Sequence, residues 1–171
     1  MSEISFLKNM VIQLSSARLC SHLNLMQINL YSFMHQIENS IRVLSWDDFV
    51  CNFYLDENLP LIEIDPQLLK QAITNIVKNA YEAMDEKGTT DIHVLYEDEL
   101  VKITVTDQGG GLDPALADNI FQPFITTKTG GSGLGLVITK QIIESHHGTL
   151  TCDSRPGDGC TFTIVLPLTQ N

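Results

Sequence analysis

The sequence predicts an α/β domain in which strands and helices are mixed along one chain. Three observations predict this class. An amphipathic helix is expected to begin at Asp65, apolar and polar residues alternate over 90–96 and 100–106 as in half-buried strands, and two glycine clusters at 109–111 and 130–135 enclose an apolar and basic segment. Glycine lets a ligand approach the backbone closely, and the amides at a helix start attract anions. A strand, a loop and a helix start in this order predict a phosphate site under a mobile lid.

Composition limits the ligands and partners that the chain can have. With 171 residues it is long enough for one domain plus an appendage, burying roughly 70% of its unfolded surface. Ten Lys plus Arg stand against 21 Asp plus Glu, for a net charge of -11. This balance disfavours nucleic acid and anionic membranes as partners, because both are bound through basic patches. A polyanionic small ligand would need a metal ion, a few lysines and backbone amides.

Cysteine spacing and hydropathy indicate a cytoplasmic type of protein. The four cysteines lack the spacing of a zinc site or a redox motif and are expected to be reduced and mostly buried: Cys20, Cys51, Cys152 and Cys160. The sequence shows neither a signal peptide nor an apolar run of membrane-spanning length. We expect a segment without membrane contact, which is also compatible with a fragment of a larger protein.

Residues 3–21 are predicted to form a helix with an apolar seam. Ile4, Leu7, Val11 and Leu14 follow one another at alternating spacings of three and four. The segment is too short to form a coiled coil alone. We interpret residues 1–24 as the end of a dimerising helix, with a helix packed on its own domain as the alternative, and residues 25–171 as the main domain.

The remaining elements are predicted in order from periodicity and from turn residues. Before the central helix we expect strands at 27–30, 49–55 and 61–64, with a helix at 31–44 and a turn at 56–60. After it we expect the strands 90–96 and 100–106 joined by a turn at 97–99, a helix at 136–146, and strands at 149–153 and 160–166.

The central helix is predicted to run from Pro66 to about Met84. Asp65 can cap its first amides, and proline is favoured at the first helical position. One face is apolar: Leu69, Ile73, Ile76, Val77, Ala80 and Met84. A second face carries Asn75, Asn79 and Glu82, at i, i+4 and i+7. Asparagine is a mediocre helix former, so two on one face favour a functional role over an ordinary solvated face.

Four segments in one order resemble the motifs of sensor histidine kinases. Residues 75–83 look like the asparagine box, 107–111 like the first glycine box, 121–124 like the phenylalanine box and 131–136 like the second glycine box. The short lid with Thr126, Thr127 and Lys128 is most similar to kinases of the nitrogen-regulation type. The resemblance covers about residues 27–168.

The resemblance implies the ATP-binding catalytic domain of the gyrase, chaperone, histidine kinase and mismatch-repair superfamily. Its fold is a two-layer α/β sandwich of the Bergerat type, a mixed sheet covered on one face by helices, with a flexible ATP lid. In this family the domain binds ATP and Mg²⁺ and transfers phosphate to a histidine on a helix-hairpin dimerisation domain, for relay to a response regulator. A full-length homodimer is implied.

The resemblance also implies roles for individual residues. Asp107 would accept a hydrogen bond from the adenine amino group, and Asn79, with Asn75 more weakly, would hold Mg²⁺. Catalysis would involve Asn75, Asn79 and Lys128. The full set implied to bind the nucleotide is Asn79, Lys78, Glu82, Asp107, Gly109, Gly111, Phe121, Phe124, Thr126, Thr127, Lys128, Gly131, Ser132, Gly133, Leu134 and Gly135.

Two departures qualify the expected activity. Where hydrolysing members of the superfamily have a glutamate, Asn75 has an amide that cannot accept a proton, so we expect slow ATP hydrolysis and transfer to histidine instead. None of the five histidines precedes an acidic residue, as the family's acceptor does, and His35 only faintly resembles it. Two alternatives stay open: a serine kinase of the anti-sigma type, and a non-catalytic nucleotide-binding or scaffold module.

Overall fold

A computed structural model describes residues 23–43, 48–117, 119–126 and 131–170. The predicted amino-terminal helix and residues 127–130 of the predicted lid lie outside these ranges. In the described part of the chain the elements follow in the order β1 (Met26–Asn29), α1 (Leu30–Arg42), β2 (Asp48–Leu55), β3 (Leu61–Ile64), α2 (Pro66–Ala83), β4 (Lys87–Glu97), β5 (Leu100–Asp107), α3 (Pro114–Ala117), α4 (Gly135–Ser145), β6 (Thr149–Ser154) and β7 (Cys160–Pro167).

The strands form a mixed five-stranded sheet in the order β2-β4-β5-β7-β6, and β1 pairs with β3 in a separate two-stranded sheet. Within the large sheet β2 runs parallel to β4, and the other neighbours are antiparallel. Alternate residues of β5 and β7 point into one core with the helices: Val101, Ile103, Val105, Phe162, Ile164 and Leu166. The helices therefore cover one face of the sheet, which confirms the predicted two-layer α/β sandwich.

Helix α2 begins where the sequence predicts. The Asp65 carboxylate accepts hydrogen bonds from the backbone N–H groups of Gln67 and Leu68, both at 3.1 Å, and proline occupies the first helical position. The six residues of the predicted apolar face are all buried. This burial directs the opposite face, with its asparagines, away from the core.

A buried histidine joins the start of α2 to the end of α4. The backbone N–H of Asp65 donates to His146 Nε2 at 2.9 Å, and His146 Nδ1 lies 2.7 Å from the Ile142 carbonyl oxygen. Because Nε2 accepts, Nδ1 must carry the proton of a neutral ring. The other carboxylate oxygen of Asp65 accepts from the Asn24 N–H at 3.0 Å. This junction ties the segment preceding β1 to α2 and α4.

Both of these helices end on a residue with positive φ that is not glycine. After α2, Asp85 has φ 53°, and the Glu86 N–H donates to the Tyr81 carbonyl at 3.0 Å. After α4, His147 has φ 53°, and the Gly148 N–H donates to the Ile143 carbonyl at 3.0 Å. These six-to-one bonds define Schellman caps, in which glycine normally occupies the left-handed position.

The predicted boundaries hold to within three residues, and two of the differences have a clear physical cause. Leu30 begins α1 instead of ending β1, because the Asn29 side chain accepts from the Ser32 N–H at 2.9 Å and caps the helix. Strand β4 begins at Lys87, three residues earlier than expected, since its pairing with β2 extends through Gly88. The short helix α3 was not predicted. No helix in the described ranges is both long and apolar enough to cross a membrane.

Candidate functional site

A cavity of about 1060 Å³ opens between the polar face of α2, the end of β5 and the start of α4. Its volume is slightly above the usual range for small-molecule sites, about 300–1,000 Å³. The predicted residues that line it are Asn75, Lys78, Asn79, Glu82, Asp107, Gly111, Thr126, Gly131, Ser132, Gly133 and Gly135. Residues predicted from four separate segments therefore meet around one space.

Helix α2 supplies the polar wall of the cavity. Asn75, Asn79 and Glu82 all line it, as their spacing on one helical face requires. Lys78 lies on the same wall, with its Nζ 3.7 Å from a carboxylate oxygen of Glu82. Two amide groups and one carboxylate together give a wall rich in oxygen atoms that can bind a cation.

Asp107 ends β5 and is 3% exposed. One of its carboxylate oxygens accepts hydrogen bonds from the backbone N–H of Gly109 at 2.9 Å and of Cys160 at 3.3 Å. These bonds come from two different segments of the chain. They fix the plane of the carboxylate at the edge of the cavity before any ligand binds.

The first glycine cluster packs backbone against backbone on the turn between β6 and β7. A Cβ on Gly111, whose φ is 67°, would lie 2.0 Å from the Arg155 carbonyl oxygen, and one on Gly159 would lie 2.0 Å from the Asp107 carbonyl oxygen. The Gly157 N–H donates to the Gly110 carbonyl at 2.8 Å. Glycine at 111 and 159 is thus required by the protein's own packing, whatever binds in the cavity.

The phenylalanine segment is held against the second glycine cluster. The Phe124 N–H donates to the Gly133 carbonyl at 3.0 Å, and a Cβ on Gly133 would lie 2.6 Å from the Phe124 backbone. Phe121 packs on the core, with the Lys140 ammonium 5.3 Å from its ring centroid. The segment that leads into the predicted lid is therefore held by the backbone of Phe124 and the side chain of Phe121.

Not every predicted residue lines the cavity. Gly109, Phe121, Phe124 and Leu134 are not among the residues that line it. Thr127 and Lys128 lie outside the described residues, and their predicted roles stay predictions.

Several lining residues were missed by the sequence reasoning. They are Ala83, Asp85, Glu86, Gly110, Leu112, Leu116, Ile120, Ile125, Leu136, Cys160 and Phe162. The last two come from β7, whose alternating pattern signals only burial. Asp85 and Glu86 add negative charge to the lining of the cavity. The binding of a polyanion would therefore depend on cations and backbone amides.

The described cysteines, Cys51, Cys152 and Cys160, are free, as predicted, but only Cys160 is buried and the other two are half-buried. A hydrogen bond with the Cys160 thiol, and then burial, raise the pKa of Cys152. Burial, followed by the charges of Asp91 and Glu38, raises the pKa of Cys51 to about 12. The thiols of Cys51 and Cys152 are therefore neutral at physiological pH.

The contacts of three described histidines indicate structural roles. His35 Nδ1 lies 2.9 Å from Glu38 on the same helix, and after α1 the next described element is strand β2. His93 stacks on Tyr54, with ring centroids 4.5 Å apart. His146 is buried at the helix junction described above.

The fold and the cavity define a class of protein. It is the ATPase-type α/β sandwich, with a site between a helix and a glycine-rich segment. Residues 64–170 match the model of the family described as Histidine kinase-, DNA gyrase B-, and HSP90-like ATPase. The chain belongs to this family, which confirms the predicted resemblance.

Similar proteins carry kinase names. The chain is 34% identical over 172 residues to the signal transduction histidine-protein kinase AtoS of Escherichia coli K12, covering 98% of this chain and 28% of AtoS. It is 36% identical over 152 residues to the sensor histidine kinase ZraS of the same strain, covering 86% of this chain and 32% of ZraS. The chain thus spans about a third or less of these relatives.

Two solved structures share the fold. Full-length ShkA in complex with AMPPNP superposes with a TM-score of 0.79 at 26% identity, over 96% of this chain and 36% of that one. The catalytic domain of the histidine kinase ThkA superposes with a TM-score of 0.74 at 30% identity, over 86% of this chain and 97% of that one. The predicted mixed sheet with helices on one face is confirmed by both.

Proposed function

We propose that this chain is the ATP-binding catalytic domain of a two-component sensor histidine kinase. It binds Mg-ATP and transfers the γ-phosphate to a histidine on a separate helix-hairpin domain, from which a response regulator receives it. One observation carries the proposal: the polar face of α2, Asp107 and the 131–135 segment line a single cavity in a chain of this family. The names of the relatives and the AMPPNP complex of ShkA support it.

Asp107 recognises the adenine in this proposal. Its carboxylate is held by two backbone N–H donors, so it can accept a hydrogen bond from the exocyclic amino group without further ordering. Apolar residues from three separate segments line the cavity and are proposed to contact the base: Ile120, Leu136 and Phe162. Gly109 and Gly111 keep the backbone of this edge close to the site.

The wall of α2 fits a magnesium ion. Mg²⁺ prefers oxygen ligands and keeps several waters, and the amides of Asn79 and Asn75, with Glu82 beside them, supply such oxygens. Bound there, the ion would offset the negative charge of the phosphates. Lys78 adds positive charge to the same wall, and Lys128 is proposed to add more from the lid.

The start of α4 holds the phosphate chain. Leu134 occupies the N-cap position, and among the described residues no side chain caps the first amides of this helix. Amides of an uncapped helix start bind anions, with help from the helix dipole. Backbone groups from Gly131, Ser132, Gly133, Leu134 and Gly135 surround the phosphates, and Thr126 and Thr127 contribute from the lid.

The rest of the full-length protein is proposed on the same basis. Residues 1–24 are the end of a dimerisation helix, and residues 25–171 are the catalytic domain. The acceptor histidine lies on another segment of a homodimeric parent, and this domain works in the cytoplasm whether or not the parent is anchored in a membrane. The alternatives are a serine kinase of the anti-sigma type and a non-catalytic nucleotide-binding module.

Nucleotide binding is tested by calorimetric titration of a non-hydrolysable ATP analogue with Mg²⁺. Asp107→Asn keeps an oxygen for the two backbone donors but places an NH₂ group toward the adenine amine, so we expect affinity to fall at least about tenfold. Asp153→Asn, on the outer face of β6, is the matched control and should bind like the unmodified chain. Equal affinity of all three proteins would refute the adenine site.

Phosphotransfer is tested with γ-labelled ATP and a separately prepared helix hairpin that carries an acceptor histidine. A histidine kinase gives an acid-labile, base-stable phosphate on the hairpin. An acid-stable phosphate on a serine would favour the anti-sigma type, and nucleotide binding without any transfer would favour the non-catalytic module.

A further inference from the structure

Thr139 is a buried polar residue on α4 that belongs to none of the recognised motifs. It is 1% exposed and lies among buried apolar residues of the same helix, such as Val137 and Ile142. A buried hydroxyl without a hydrogen-bond partner destabilises the fold, so it is normally bonded. Its two partners are therefore informative.

The hydroxyl of Thr139 links Gly135 to Asn75 through two directed hydrogen bonds. Thr139 Oγ1 donates to the Gly135 carbonyl at 3.0 Å, and Asn75 Nδ2 donates to Thr139 Oγ1 at 2.8 Å. A carbonyl can only accept, so the single hydroxyl proton goes to Gly135. Thr139 must then accept from Asn75, which requires the NH₂ side of the asparagine amide to face α4.

With the NH₂ group bonded to Thr139, the position of the amide oxygen is fixed as a consequence. A Cβ on Gly135 would lie 2.8 Å from Asn75 Oδ1 and 3.1 Å from Nδ2, so both ends of the amide pack against the start of α4. Asn75 and Gly135 both line the cavity. The amide oxygen is thus placed beside the helix start proposed to hold phosphate, with its orientation set by the protein.

We propose that Thr139 is a positioning residue that fixes the Asn75 amide with its oxygen toward the Mg²⁺-nucleotide. This inference rests on the proposed function. Without the hydroxyl the amide can turn by 180° and present its N–H groups where a cation is to be held. Metal-dependent binding then weakens, whereas contacts to the adenine remain.

The test compares Thr139→Val, which keeps the shape without the hydroxyl, with Thr139→Ser, which keeps the hydroxyl. Affinity for a non-hydrolysable ATP analogue is measured with and without Mg²⁺ on the full chain. We expect Thr139→Val to reduce the Mg²⁺-dependent gain in affinity about tenfold, with affinity in EDTA changed less than about twofold, and Thr139→Ser to restore the gain. Thr151→Val, on the exposed face of β6, is the matched control.

A second readout does not need nucleotide. The side-chain ¹⁵N–¹H signals of Asn75, assigned with Asn75→Gln, should show one proton slowed in exchange in the unmodified chain and fast in Thr139→Val. Gly135→Ala supplies another variant, since its Cβ displaces the same amide, and it should lose the Mg²⁺-dependent gain as Thr139→Val does.

The outcomes separate the two proposals. Loss of affinity by Thr139→Val that is equal with Mg²⁺ and with EDTA would mean a purely structural role and overturn the inference. Unchanged Asn75 exchange in Thr139→Val would also overturn it. No nucleotide binding by the unmodified chain, with the expected Asn75 exchange, would instead refute the proposed function and leave the amide orientation intact.

Discussion

The Asp65 carboxylate is the clearest place to test how this domain is held together, because one side chain serves two contacts. One oxygen caps α2 through Gln67 and Leu68, and the other accepts from the Asn24 N–H at 3.0 Å. Losing an N-cap costs about 1 kcal/mol, and losing a charged hydrogen bond at a residue that is 7% exposed costs about 1.5 kcal/mol more. Asp65→Ala should therefore lower the free energy of unfolding by about 2.5 kcal/mol.

Asp65→Asn separates the two contacts. Asparagine caps helices as well as aspartate does, but its NH₂ group would face the Asn24 N–H, a donor against a donor. We expect this variant to lose about 1–1.5 kcal/mol. Urea unfolding with linear extrapolation gives both values, and the alanine variant should melt about 5–10 °C lower. A loss below about 0.5 kcal/mol for alanine, or equal losses for both variants, would refute this reasoning.

Three further outcomes follow from the structure. His147→Gly should raise the free energy of unfolding by about 0.5–1 kcal/mol in the same urea assay, because φ 53° costs an L-residue more than glycine; a loss would contradict the assigned cap. Burial raises the pKa of Cys51 to about 12, so its contribution to stability is complete below pH 9 and declines as the pH rises toward 12; Cys51→Ala should show a shallower alkaline decline. Asn75→Glu should increase steady-state ATP hydrolysis about tenfold or more, measured by phosphate release, whereas Asn75→Gln, which adds length without a base, should not.

Local signals in the sequence predicted most of the fold. Asp65 followed by proline fixed the start of α2 to the residue, since capping chemistry is local. The start of β4 at Lys87 was missed because Gly88 resembles a helix terminator, and only its pairing with the distant strand β2 makes it part of a strand. The separate β1–β3 sheet likewise depends on contacts between distant segments, which no local pattern encodes.

The candidate site was also predicted only in part from local signals. Asn75, Asn79 and Asp107 were predicted because they stand in recognisable segments, and the structure brings them to one cavity. The Asn75–Thr139 bond was not predicted, since a threonine inside a helical pattern carries no signal of its partner 64 positions away. Cys160 was missed for the same reason.

The contact between the 107–111 segment and the turn at 155–159 decides where the domain tolerates alteration. Gly111 and Gly159 leave no room between the two backbones, so an inserted residue or a bulky label in that turn would press on Asp107 from behind. The tip between β4 and β5, Asp98 and Glu99, is exposed and lies at the far end of β5 from Asp107. Fluorescent labels and affinity tags are therefore best attached at that tip, where they would not distort the cavity.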